Sequence, residues 1–126
     1  MSLLESIIAK GNRRWTLATA TSGGLPNNSE NWITCRDGFK FSVVAGNGVY
    51  CLPRPTVMDT PGPYEVASDF PGPFTHVEVG FPSERPEPWA EWEPYAEDAD
   101  EPTATVYAYV PVGMVRALVE AHGGER

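Results

Sequence analysis

Residues 31–44, Asn31-Trp32-Ile33-Thr34-Cys35-Arg36-Asp37-Gly38-Phe39-Lys40-Phe41-Ser42-Val43-Val44, decide the fold. Two alternating runs rich in aromatic and β-branched side chains flank Asp37-Gly38, a dipeptide suited to a tight hairpin whose two central residues take positive φ. The pattern predicts strands over 31–36 and 39–45 joined by a two-residue turn. Gly46-Asn47-Gly48 predicts a second reversal, into Val49-Tyr50-Cys51-Leu52. Upstream, Trp15, Leu17 and Thr19 alternate with Thr16, Ala18 and Ala20 as far as the breaker Ser22-Gly23-Gly24. Residues 12–52 therefore read as an antiparallel meander.

A short helix over 1–11 comes first. Ser2 and Glu5 have the spacing of a capping box, Leu3, Leu4, Ile7 and Ile8 recur at helical period, and Gly11 is a stop. After the meander the composition changes: nine of the thirteen prolines fall between Pro53 and Pro88. Proline removes backbone donors and fixes φ, so 53–73 reads as an ordered loop with at most a short edge strand at Tyr64–Ala67. Residues 74–81 form a strand with Val77, Val79 and Phe81 on one face and His76 and Glu78 on the other. Residues 82–102 are acidic and tryptophan-rich; Pro88 suits the first turn of a short helix and Pro94 its end. A last strand, 103–110, precedes a helix over 111–123 with an apolar stripe of Val112, Val115, Leu118 and Val119 and a stop at Gly123-Gly124.

The sum is a single α+β domain, 1–126, with an antiparallel sheet of about five strands, an N-terminal and a C-terminal helix packed on it, and a Pro-rich loop region. Phe41, Val43, Val77, Val79, Val106, Val115 and Leu118 are the expected core. A hydrophobic fraction of 41% with 21% charged residues is the profile of a globular chain rather than a disordered one. The net charge of −8 argues against sequence-independent binding to nucleic acid or anionic lipid, which needs a basic face to release counterions. No apolar run approaches the roughly 18–20 residues of a membrane span, nor is there a signal peptide's apolar core, so the expected location is cytoplasmic. Cys35 and Cys51 are too few for a disulfide scaffold; each falls in a strand-like segment and reads first as a small buried hydrophobe, ahead of a bridge or a reactive thiol.

Chemistry-bearing patterns are sparse. His76 and Glu78, two apart on a strand, point the same way, as a general base and its orienting carboxylate do; the plain alternative is a polar pair on a solvated face. With Trp32 or Tyr50 as a stacking wall, that pair defines a small-molecule or hydrolase-like alternative. No spacing supplies further metal ligands, so no metal is expected. The glycine pairs precede no helix that would hold a phosphate, and no serine sits in a nucleophile elbow, so neither a cofactor nor an enzymatic activity is indicated. His122, beside the Gly-Gly stop, suits capping of the last helix.

Charge is distributed unevenly. Residues 1–54 carry six basic and three acidic side chains, whereas 55–126 carry three basic and fourteen acidic. Between Glu78 and Glu101 lie nine carboxylates and a single arginine, Arg85. One reading is a partner-binding surface in which Glu87, Glu91, Glu93, Glu97 and Asp98 surround anchors Trp89, Trp92 and Tyr95, aimed at a protein with a basic surface. The other is a solubilising loop whose aromatics roof the sheet, with Arg13, Arg14 and Arg36 neutralising the acidic half from within.

Three stretches carry a resemblance: Gly11-Asn12-Arg13-Arg14-Trp15-Thr16-Leu17-Ala18; Val77-Glu78-Val79-Gly80-Phe81-Pro82-Ser83 with Glu87-Pro88-Trp89; and Val106-Tyr107-Ala108-Tyr109-Val110-Pro111. Over most of its length the chain resembles small accessory proteins of uncharacterised function carried by bacteriophages of actinobacteria. The resemblance brings neither a fold nor a catalytic residue. It implies a cytosolic role in an infected host, exercised by binding a host protein; a virion or assembly component built on the Pro-rich arm is the further alternative.

Overall fold

The computed structural model describes residues 2–14, 27–28, 30–56, 62–67 and 70–126. The strand expected over 15–20 and its Ser22-Gly23-Gly24 breaker lie outside the described residues. Elements follow in the order α1 (Leu3–Lys10), β1 (Arg13–Arg14), β2 (Asn27–Asn28), β3 (Trp32–Thr34), β4 (Lys40–Val44), β5 (Arg54–Thr56), β6 (Glu65–Ala67), β7 (His76–Gly80), α2 (Trp89–Trp92) with a 3-10 turn at Glu93–Tyr95, β8 (Val106–Pro111) and α3 (Val112–Ala121). The fold is α+β. Its principal sheet is antiparallel with four strands in the order β3-β4-β7-β8, and β1-β2 and β5-β6 form separate two-stranded ribbons.

The β3–β4 hairpin forms with Trp32 opposite Ser42 and Thr34 opposite Lys40. Its loop is one residue longer than Asp37-Gly38 alone implies. Cys35 N–H donates to Phe39 O at 2.8 Å and Gly38 N–H to Cys35 O at 3.0 Å, so Arg36, Asp37 and Gly38 form a three-residue connection. Only Gly38 takes positive φ, at 96°, as in a type I turn closed by a glycine bulge. Asp37 Oδ1 receives the Phe39 N–H at 2.9 Å.

The meander is not continuous to residue 52. Val49–Leu52 does not pair along β4; β7 occupies that edge, with Val43 opposite Val79. The chain leaves the sheet at Ala45 because Asn12 claims the position. Asn12, 5% exposed, donates from Nδ2 to Val43 O at 2.9 Å and to Glu30 O at 3.1 Å, and accepts the Ala45 N–H at 3.0 Å. A buried amide with its groups satisfied holds backbone as firmly as a strand does. Gly46 then passes so close to Arg13 that a Cβ there would sit 2.0 Å from Arg13 O. The expected edge strand near Tyr64–Ala67 exists as β6, paired in parallel with β5.

Residues directly opposite on adjacent strands share a face. Ile33, Phe41, Val43, Val77, Val79, Tyr107 and Val110 are all 0% exposed and form the inner face. α1 (Leu4, Ile7, Ile8) and α3 (Val115, Leu118, Val119) join them in the same cluster. One expected core position, Val106, and the expected facing of Phe81 differ. Val106 is half-buried, because Glu78 faces both Ala108 and Tyr109 in a bulge of β8, which puts Tyr107 and Val110 inward. Phe81 is 49% exposed; its backbone turns to φ 49° at the end of β7, and the side chain leaves the face shared by Val77 and Val79.

Helix ends are capped by distant residues. Ser2 Oγ accepts the Glu5 N–H at 3.1 Å as the capping-box spacing predicts. Glu5 does not reach back to Ser2; its carboxylate makes a two-pronged pair with Arg116 at 2.8 and 2.9 Å. Glu125 takes over, accepting the N–H groups of Leu3 and Leu4 at 2.8 and 3.2 Å. His122 is the C-cap residue of α3, its backbone N–H donating to Val119 O at 3.1 Å, while its ring is engaged elsewhere: Nδ1 lies 2.7 Å from Asp37 Oδ2 and the ring stacks on Phe39 at 3.9 Å.

Candidate functional site

The acidic segment is fixed from beneath by its aromatics. Trp92 is 2% exposed and meets Tyr107 edge-on at 5.7 Å; Trp89, half-buried, meets the same ring at 6.4 Å. Tyr95 packs partly buried against the same core. Tyr107 Oη in turn donates to Pro102 O at 2.6 Å, fastening the far end of the segment, and burial pushes its phenol up to about 12. Backbone bonds complete the attachment, from Glu97 N–H to Val106 O and from Ser83 N–H to Lys40 O. Of the expected partner anchors, Trp92 is part of the roof over the sheet: its indole has no face left for a partner. Trp89 and Tyr95 keep part of their surface.

The carboxylates lie above this floor. Glu84, Glu87, Glu91, Glu93, Glu97, Asp98, Asp100 and Glu101 are all exposed. Glu87 is committed locally. It pairs with Arg85 at 2.8 Å, accepts the Trp89 N–H at 3.0 Å, and is held below its ordinary value chiefly by the arginine. The Arg85 guanidinium also lies over Trp89, 5.4 Å from the ring centre. Among the described residues no ion pair reaches the other seven. Among the described residues, Arg116 pairs instead with Glu5 and His122 with Asp37.

His76 and Glu78 share the outer face of β7 as expected but engage different neighbours. His76 Nδ1 bonds the Thr75 hydroxyl at 2.8 Å, and Glu78 Oε1 accepts the Tyr50 N–H at 3.1 Å. Burial raises the Glu78 carboxyl above its ordinary value; the Tyr50 N–H opposes this, Glu97 adds to it, and Arg13 and Arg54 oppose it. Among the described residues no hydrogen bond joins His76 to Glu78. Trp32 lies on β3 under Lys40, whose Nζ is 4.8 Å from the ring centre, whereas Tyr50 adjoins Tyr109 at 5.7 Å and carries Arg54 over its ring at 5.4 Å. Among the described residues no three His, Cys, Asp or Glu side chains are placed to hold a metal. Both cysteines are buried and unbridged and both lie outside the strands, Cys35 just past β3 in an isolated bridge to Glu125, and burial pushes each thiol up to about 11.

Sequence reasoning missed Asn12, Glu125, the Asp37–His122 pair and the grouping of Arg54, Tyr64 and Tyr109. No local signal pointed to Glu125, because it is remote in sequence from the helix it caps. No protein-family model, curated protein or solved structure matches the chain.

Proposed function

We propose that the protein is a non-enzymatic, phage-encoded interaction protein that presents the carboxylates of 84–101 to a basic surface on a host protein in the cytoplasm. One observation carries this reading. Seven exposed carboxylates that no ion pair reaches among the described residues stand on a segment fastened by a buried tryptophan. A merely solubilising stretch has no need of such a fixed floor, and like charges gathered on one element repel one another. A rigid array of this kind can occupy a groove built for phosphates. Trp89, partly exposed beside Arg85 and Glu87, supplies the apolar contact at its edge.

The test is capture from an actinobacterial host lysate by the parent and by a variant with Glu91, Glu93 and Glu97 each changed to Lys. All three side chains are exposed, so the variant keeps the parent's Tm or gains slightly. The parent retains a discrete partner at about 50 mM salt and loses it by about 500 mM, as screening shortens the reach of the charges. The reversed variant retains none, mainly through slower association. Equal capture by parent and variant refutes the reading.

A further inference from the structure

The excursion between β4 and β7 carries aromatic and charged groups that neither the core nor the acidic face uses. Leu52, Arg54, Pro63, Tyr64, Glu65 and Tyr109 line a cleft of about 410 Å3 that opens to solvent. Its wall is the parallel ribbon, where Arg54 stands opposite Glu65 and both project to the same side. Tyr64 is 73% exposed, the most exposed large apolar side chain among the described residues. Tyr109 reaches the cleft through the β8 bulge, at φ 55°, with its N–H held by Tyr50 O at 3.0 Å. A non-glycine residue at positive φ is strained, and such outliers gather where a side chain must be aimed. Here the bulge sets Tyr109 beside Tyr50 in an aromatic row.

The polar groups are only partly spent. The Arg54 guanidinium lies over Tyr50, and among the described residues no carboxylate comes within ion-pair distance of it. Glu65, which lines the cleft, accepts the Gly62 N–H on Oε1 at 2.8 Å.

We propose that this cleft binds a neutral saccharide, with the C–H face of a sugar ring on Tyr64 and Tyr109 and its hydroxyls shared between Arg54 and Glu65. The charges decide the class. Arg54 stands opposite Glu65 and also attracts Glu78, so the site has no spare positive charge for an anion. An anion would also approach a chain of net charge −8, and a cation would meet Arg54, which already covers the Tyr50 ring. A vicinal diol, by contrast, both donates and accepts. It matches a planar fork of donors beside a carboxylate, with phenol hydroxyls that do either. Ligand sites of this size combine apolar and aromatic walls with a few placed polar groups. None of its lining residues belongs to the acidic segment.

Calorimetric and NMR titrations with maltohexaose, cellohexaose and chitohexaose, and with inorganic phosphate and tetramethylammonium as ionic controls, test it. At least one hexasaccharide binds with a Kd below about 1 mM and shifts the ring resonances of Tyr64 and Tyr109. Tyr64→Ala and Arg54→Ala each weaken that binding by about tenfold or more with the parent's Tm retained, while Glu91→Gln binds as the parent does. Three outcomes overturn the proposal: none of the three sugars binds, binding survives both cleft substitutions, or only an ionic control binds in a Tyr64-dependent way.

Discussion

Trp92→Ala discriminates a floor from a contact. The indole is 2% exposed, edge-on to Tyr107, and lines a shallow hollow with Met114 and Leu118 of α3. Removing a buried tryptophan side chain costs about 3–5 kcal/mol, from lost transfer free energy and from the cavity left behind. Unfolding entropy near Tm is about 2.1 cal/mol/K per residue, or about 0.26 kcal/mol/K for 126 residues. The expected fall in Tm is therefore about 11–19 °C. Calorimetry or far-UV melting reads it directly, and limited proteolysis should show cuts moving into 84–101, because the segment loses its principal fastening. Trp92→Phe refills part of the space. It should lose less stability and still bind the partner as the parent does, since the ring touches nothing outside the molecule. A Tm within about 3 °C of the parent for Trp92→Ala would mean that this side chain carries little packing energy, and the account of a fixed floor would fall.

Gly38→Val should cost about 1–2 kcal/mol although a Cβ there meets no atom within 4 Å, since the penalty is that of a β-branched residue at φ 96°; a neutral substitution would show that the loop relaxes to another turn. Glu78, raised by burial, favours its neutral form in the folded state, so its contribution is fully present below the unfolded value and is lost as pH rises through the higher folded one. Glu78→Gln, which can still accept the Tyr50 N–H, should therefore gain stability relative to the parent as pH rises above the ordinary glutamate range in urea titrations; a pH-independent difference refutes this. With both thiols buried and pushed up to about 11, Cys35 and Cys51 should react with a disulfide reagent at pH 8 only as fast as the protein unfolds, and prompt labelling of the native protein would contradict their burial.

What the sequence disclosed follows period and charge. The β3–β4 hairpin, α1, α3 and the inner faces of β4 and β7 were legible because each has one dominant local pattern. Asp37-Gly38 located the turn but not its length, since a two-residue turn and a three-residue turn closed by a glycine bulge both place glycine at that end. Val49–Leu52 carries a genuine strand signal, yet β7 wins the edge of β4, and that competition is settled by partners 30 or more residues away. Val106 lost its inward place to a bulge that no local spacing announces. The exposed carboxylates were legible, because ionised side chains stay in water. The duty of Trp92 was not, because a spacing of three puts a tryptophan on a core face and on a contact face alike. The cleft was invisible for a different reason. Arg54, Tyr64 and Tyr109 meet only because a parallel ribbon and a strained bulge bring them together.

The acidic segment stays seated because its two kinds of side chain act at different dielectric. Repulsion between exposed carboxylates is felt through water and is worth a few tenths of a kcal/mol per neighbour, as for other exposed charge pairs. Burial of Trp92 contributes about 1.5–3 kcal/mol, and its edge-on contact with Tyr107 adds about 0.5–1.5 kcal/mol. The buried ring outweighs the repulsion, so the array remains on the sheet at low salt. Screening then acts on the two properties in opposite directions. Added salt relieves repulsion within the segment and raises the stability of the free protein, while the same salt weakens attraction to a basic partner. A solubilising stretch would show the first response alone; an interaction surface shows both over one range of ionic strength.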